Sequence, residues 1–325
     1  MANYSDSDLW LNIPVAADDD FVRSLAELMR AELDPDRRLY LELGNELWNW
    51  AEPYSFGRDY ALTRARSRWQ GVEGTVTGYS DGEPVNELMM IYSWQGIRSI
   101  EIADIFRDVF ASRPDRIISV LAGQIGASMP YWFPSRYLLE TPLYTGEEEG
   151  MAAGYQADAF AVAPYVGEPE GDYGFRRSGP GDFLDDAIAY VEGRDPYGVQ
   201  SQEPGMRYQI RSDAALAAEF GLPLLAYEGG QHFTGSRFTR DQVNSHGNMY
   251  NLYRSLLKVW EEEGGSLFVH FAGIIPKGKN PPGEEPGYYQ SENFGVKEYQ
   301  NQDLEQAHKM RALLDAMRLS GQIAE

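Results

Sequence analysis

The chain has 325 residues, 43% of them hydrophobic and 24% charged, a length and balance suited to a large α/β domain. Its 28 basic against 50 acidic residues leave a net charge of −22, which argues against a nucleic-acid partner, because phosphate binding needs local positive charge. With no cysteine, disulfides, thiolate catalysis and cysteine metal sites are excluded. No apolar run approaches the roughly 20 residues of a membrane span, and no charged-then-apolar leader opens the chain.

Short apolar runs alternate with amphipathic stretches, the pattern of βα units around a parallel sheet. The first strand is read at Leu9 to Pro14, followed by a helix from Phe21 to Glu32 behind the acidic cap Asp18-Asp19-Asp20. The second strand is Arg38 to Leu43. Helical periodicity then covers Phe56 to Gly78 and Val85 to Ala111, with a break between them. Arg116 to Ala122 is the third strand, followed by a Pro- and aromatic-rich loop, Pro130 to Pro142, and a short helix. The fourth strand is Ala159 to Ala163. Beyond a Gly- and Pro-rich loop, helices are expected at Asp182 to Val191 and Tyr208 to Phe220. Pro223 to Tyr227 is the fifth strand, Asp241 to Glu263 a helix and Ser266 to Phe271 the sixth strand. A polar loop, Pro276 to Gly295, leads to a last helix at Gln302 to Met317. No linker divides the chain, so residues 1–325 read as one domain. The long connections follow strands, which in a barrel places them at the end of the sheet where active sites sit.

Two strand ends carry the chemistry. In Leu41-Glu42-Leu43-Gly44-Asn45-Glu46-Leu47-Trp48-Asn49, an apolar strand runs into Asn-Glu. Alternation puts Tyr40, Glu42, Gly44 and Glu46 on one face, toward the barrel axis. A strand-end carboxyl ringed by Trp48 and Trp50 is partly desolvated, which raises its pKa and suits a general acid. The competing reading is a Glu that caps the next helix. Leu224-Leu225-Ala226-Tyr227-Glu228-Gly229-Gly230-Gln231-His232 repeats the grammar, with glycines that allow a sharp turn and leave room for a ligand. Two inward carboxylates at two strand ends are what glycoside hydrolysis requires. Aromatic residues make up 13% of the chain, and several sit in polar surroundings, as in Trp48-Asn49-Trp50 and Tyr131-Trp132-Phe133, where flat rings suit sugar faces.

The Gly44-Asn45-Glu46 and Tyr227-Glu228-Gly229-Gly230 strand ends resemble the superfamily of retaining (β/α)8-barrel glycoside hydrolases with catalytic glutamates on strands four and seven. With Trp10-Leu11-Asn12-Ile13-Pro14, Ala17 to Val22 and Leu33-Asp34-Pro35, the likeness is to a cellulase-like or cellulose-binding bacterial branch and spans nearly the whole chain. It implies Glu46 as acid/base, Glu228 as nucleophile, Asn45 on the substrate's 2-hydroxyl and Tyr165 orienting Glu228. It also implies an arginine near the end of strand two, for which no candidate is visible.

Trp10, Asn12, Gln124, Trp132, His232 and His270 lie at or just beyond strand ends and are weaker candidates for lining a cleft with Trp48; packing explains each as well. Glu42, deeper in the barrel, reads as structural. The spacing of His232, His270, Glu46 and Glu228 matches no dense metal motif, and neither a phosphate loop nor a Gly-x-Ser-x-Gly elbow is present. The reading is therefore a cofactor-free retaining β-glycosidase acting on a neutral glycan. A noncatalytic carbohydrate-binding protein on a decayed barrel is the alternative, and a lyase or transglycosidase on the same scaffold a third. If Glu46 lies on strand four, the six strands are strands three to eight of a TIM-type barrel whose strands one and two are missing. An open sheet exposes two edges, so a homodimer that covers the opening is expected, the rival being a fragment of a longer protein.

Overall fold

The structure, a computed structural model, describes residues 2–70, 87–127, 134–145, 148–167, 174–194, 205–233, 238–275 and 294–323. By its internal contacts the chain divides into two compact units. The first comprises Met1–Val162 with Asp213–Leu225, and the second Ala163–Ser212 with Ala226–Glu325.

The first unit is built on parallel strands. β1 (Leu9–Ile13) pairs with β2 (Leu39–Leu43), which pairs with β3 (Ile117–Ala122). After a hairpin of β4 (Pro142–Thr145) and β5 (Glu148–Ala152), β6 (Ala159–Val162) pairs with β3. β2, β3 and β6 are almost wholly buried, as strands covered on both faces must be, and so read as near-continuous apolar runs. β1 is the edge, with Leu9, Trp10 and Leu11 only half-buried. The helix Asp19–Glu32 starts where Asp18 accepts the Phe21 N–H at 2.8 Å, a side-chain cap, and turns Val22 and Ala26 into the core. The helix Glu87–Val109 is buried over most of its length.

In the second unit β7 (Tyr165–Gly167) follows β6 after Ala163-Pro164. β8 (Leu224–Ala226) contributes its last residue here, and β9 (Gly230–His232) pairs in parallel with β7, Tyr165 opposite Gly230. Past β10 (Gly265–Phe268), the Val269 N–H donates to the Ala226 carbonyl at 3.0 Å. In the first unit the hydrogen-bonded order is β1-β2-β3-β6-β8, so its parallel strands follow chain order. The α/β class with a mostly parallel sheet agrees with the sequence reading.

Several boundaries differ. The sixth strand stops at Phe268 rather than Phe271. The last helix is His308–Leu319; residues from Gln302 to Ala307 form turns, with the Ala307 N–H on the carbonyl of Asp303. The helix expected from Asp241 is a π-helical turn, Thr239–Val243, then a separate helix, Met249–Glu262, since Gly247 interrupts. The loop expected at Pro130 to Pro142 contains the helix Pro134–Glu140. Neither the β4–β5 hairpin nor the β7–β9 pair was anticipated, because three- to five-residue strands leave little periodicity. Among the described residues, no helix is long and apolar enough to cross a membrane.

Candidate functional site

In the first unit, β2 ends at Leu43, before the acid of interest. The Gly44 N–H donates to Ile13 at 2.8 Å while Gly44 takes φ +69°, where a Cβ would lie 2.8 Å from Leu47 Cδ2. Glu46 is itself left-handed, at φ 46°, a sparsely populated region for a residue with a Cβ and a common mark of functional turns. It therefore does not continue the inward face of the strand, as alternation had implied. Instead it closes a tight turn pinned by the buried Leu47. Glu46 Oε2 accepts from Asn49 Nδ2 at 2.7 Å, and the Asn49 N–H donates back to the Glu46 carbonyl at 2.8 Å. Asn45 is exposed and Trp48 half-buried. Trp50 is 61% exposed, with the Arg58 guanidinium 4.8 Å from the centre of its ring.

Trp10 and Asn12 are engaged within the same sheet. Trp10 stacks on Tyr40 with ring centroids 5.4 Å apart and donates its indole N–H to Glu42 Oε2 at 2.8 Å. Glu42 is only 2% exposed, and this bond satisfies part of the need of a buried carboxylate for donors. Asn12 Nδ2 donates to the Gly44 carbonyl at 2.8 Å, so it holds the turn that carries Glu46. Gln124 enters through its backbone, whose N–H donates to the buried Tyr92 hydroxyl at 3.4 Å. Burial pushes the Tyr92 phenol well above its ordinary pKa. The Gln124 bond pulls the other way, and the charges of Asp213 and Glu46 add to the rise. Asp213, fully buried, accepts from the Gly126 N–H at 2.8 Å. Trp132 lies outside the described residues.

In the second unit, Glu228 sits just beyond β8. Tyr165 Oη donates to Glu228 Oε1 at 3.1 Å, the contact that follows when β7 and β9 pair with Tyr165 opposite Gly230. Aromatic rings enclose Tyr165: His232 at 5.7 Å, Phe294 at 5.9 Å and Phe271 at 6.2 Å, with His232 stacked on Phe294 at 5.5 Å. Burial holds the His232 imidazole below its usual pKa, and so neutral.

His270 stands behind this surface. Its Nε2 lies 2.9 Å from the Tyr253 hydroxyl, which accepts the Gln231 N–H at 3.2 Å. Which of the two donates in this contact depends on the His270 tautomer. Burial drives the His270 pKa down to about 3, aided by the charge of Lys309 and opposed by the Ala272 backbone. Gly230, at φ +140°, fits against this pair; a Cβ there would lie 2.9 Å from both His270 Nε2 and Tyr253 Oη. His270 thus braces the turn after Glu228. Sequence reasoning passed over Tyr253, Tyr92 and Asp213, all on helices where a tyrosine reads as core. Only Asp213, an acid within an apolar helical stretch, carried a signal.

Among the described residues, no cluster of three or more His, Asp or Glu is arranged to hold a metal. No protein family model matches the chain, and no curated protein matches it in sequence. Solved structures similar to it include a xyloglucan-specific endo-β-1,4-glucanase of glycoside hydrolase family 5 from a metagenomic library (12% identity, 93% of this chain and 83% of that one, TM-score 0.41). Another is a family 5 xyloglucanase from Paenibacillus pabuli (10% identity, 96% and 87%, TM-score 0.42). A third is the exo-β-1,4-mannosidase Op5Man5 from Opitutaceae bacterium strain TAV5 (15% identity, 98% and 54%, TM-score 0.42), of which this chain spans about half the length.

Proposed function

We propose that this chain is a retaining β-glycoside hydrolase that acts on a neutral glycan, with Glu228 as nucleophile and Glu46 as acid/base. The observation that carries the reading is the 3.1 Å hydrogen bond from Tyr165 to Glu228. A neutral phenol donating to a carboxylate favours its ionised form, as a nucleophile needs, and fixes one oxygen so that the other is aimed. Glu228 attacks the anomeric carbon while Glu46 gives its proton to the leaving oxygen, which breaks the glycosidic bond and leaves a glycosyl ester. Glu46 then takes a proton from water, whose oxygen displaces Glu228 and restores the original anomer. Asn45 is assigned to the 2-hydroxyl, and Trp48 with the rings beside Tyr165 to sugar faces.

A noncatalytic glycan-binding protein is the second reading, and it is favoured by one observation: Glu46 lies in a turn beyond β2 rather than on it. The experiment that separates the two is a screen of aryl β-glycosides and β-glucan oligosaccharides. Turnover that disappears in Glu228→Ala supports the hydrolase; binding without turnover supports the alternative. The proposal treats residues 1–325 as one catalytic domain on a six-stranded partial barrel. It includes a homodimer that covers exposed sheet edges, consistent with half-exposed β1 and with Leu267 on β10. Light scattering that gives a monomer at all concentrations contradicts the dimer.

A further inference from the structure

Trp50 has no part in the chemistry above, yet it stands four residues beyond Glu46 with 61% of its surface exposed. A large apolar ring left in water forgoes the gain that burial would bring. Single exposed apolar residues are common on protein surfaces. Trp50 is set apart by how it is held.

Asn49 uses both ends of its amide at this turn. Its Nδ2 donates to Glu46 Oε2 at 2.7 Å, and its Oδ1 accepts the Ala51 N–H at 2.8 Å. The backbone of Trp50, between Asn49 and Ala51, is therefore tied to the Glu46 carboxyl through one side chain. The Arg58 guanidinium, 4.8 Å from the ring centre, makes a cation–π contact. Arg58 is itself well packed, with 15% of its side chain exposed and its Nε on Asp59 at 3.2 Å. Its helix, Ser55–Arg68, starts against the same turn, since a Cβ on Gly57 would lie 3.0 Å from Leu47 Cδ2. Trp50 is thus restrained at its backbone and at its ring, and the ring still faces solvent. A flat surface fixed in advance loses little freedom when a ligand packs on it.

The acid/base of a glycosidase gives its proton to the leaving oxygen, so what is fixed to Glu46 is fixed near the leaving group. An open indole suits the C–H face of a sugar. Between Trp50 and Asp59 the acids Glu52 and Asp59 outnumber Arg58, which Asp59 already engages, so a negatively charged group is not favoured there. We infer that Trp50 is the platform for a neutral sugar on the leaving-group side of the scissile bond. The leaving group is then itself a sugar, and the substrate class is an oligosaccharide or polysaccharide rather than a glycoside of a small alcohol or phenol. The inference rests on the assignment of Glu46 as acid/base.

Two substrates of one sugar series separate the leaving-group side from the rest. β-Cellobiosyl fluoride departs as fluoride, which has no face to stack, whereas cellotetraose departs as a sugar; β-mannosyl fluoride and mannotetraose are run alongside. The kcat/KM of the full chain is compared with those of Trp50→Ala and Trp50→Tyr. Trp50→Ala should lose about tenfold on the tetrasaccharide, the size of one aromatic contact, and less than about twofold on the fluoride. Trp50→Tyr should recover most of the loss. Tyr155→Ala is the control, because Tyr155 is 58% exposed but precedes β6. That places it at the opposite end of the parallel strands from the Glu46 turn beyond β2, and its variant should leave both rates unchanged. Equal losses on the two substrates, no loss on the tetrasaccharide, or an equal loss in Tyr155→Ala overturns the inference and leaves the hydrolase proposal standing. So does a wild type that releases fluoride but cleaves neither tetrasaccharide. A wild type that acts on none of the four removes the hydrolase proposal and this inference with it.

Discussion

The two strand ends that carry Glu46 and Glu228 share a sequence grammar but are held in different ways. The Glu46 turn is local: its carboxylate bonds to Asn49, three residues on, and the backbone returns the same contact. The Glu228 turn is braced from a distance, by Tyr165 63 residues away and by Tyr253 and His270 through Gly230 and Gln231. On the proposed assignment, a left-handed, locally bonded acid can adjust as it passes a proton back and forth. A nucleophile must instead present one oxygen to one carbon, and long-range bracing supplies that fixity.

The largest effect expected from this difference is on catalysis. Glu228→Ala should lower kcat on the order of 10⁴-fold or more, since loss of the attacking group removes the covalent path. Glu46→Ala should lose less on a substrate with a good leaving group, and azide should restore part of its rate by replacing activated water. Equal losses without rescue, seen in steady-state kinetics, would erase the distinction between the two acids.

Bracing also predicts where stability is concentrated. Gly230→Ala forces a side chain into φ +140° and against Tyr253 and His270. It should cost about 3 kcal/mol, combining backbone strain with displacement of a buried pair. Asn49→Ala, in contrast, should cost under about 1 kcal/mol in denaturant unfolding, while slowing turnover about tenfold through a less ordered Glu46. Similar stability losses for the two variants would show that the bracing is not the source of the difference.

The legible part of this molecule was the part written in continuous runs. β2, β3 and β6 are buried on both faces, and their apolar strings placed them within a residue or two. The glycines after Glu228 marked a turn because nothing else accepts φ +140°. Glu46 was assigned to the strand face because alternation was carried past Leu43, although Gly44 at φ +69° ends the strand there. The braces were hidden for a different reason. Tyr253 and Tyr92 sit on buried helix faces, where a tyrosine needed for its hydroxyl has the same spacing as one needed for its ring. His270 was noticed as a strand-end residue, yet its partner is 17 residues back. Trp10 and Asn12 were read as cleft candidates, while their polar atoms serve Glu42 and Gly44.

A smaller effect concerns pH. His270 binds its proton with a pKa of about 3 when folded, against an ordinary 6.5. Between those values the unfolded chain takes up a proton that the folded one refuses, so stability is fully present above pH 6.5 and falls as pH drops toward 3. From pH 6.5 to 4 this should amount to about 3 kcal/mol. His270→Gln should be less stable at neutral pH but show a flatter decline on acidification. Parallel Tm curves for wild type and variant would contradict a neutral His270 brace.

The central claim, that Glu228 forms a glycosyl ester which Glu46 helps to cleave, is tested most directly by the configuration of the first product. Proton NMR in the first minutes of wild-type hydrolysis of a β-linked substrate should show the β-anomer accumulating before mutarotation, with no such signal from Glu228→Ala. Early α-anomer would mean single displacement by water and would contradict the assignment of Glu228 as nucleophile.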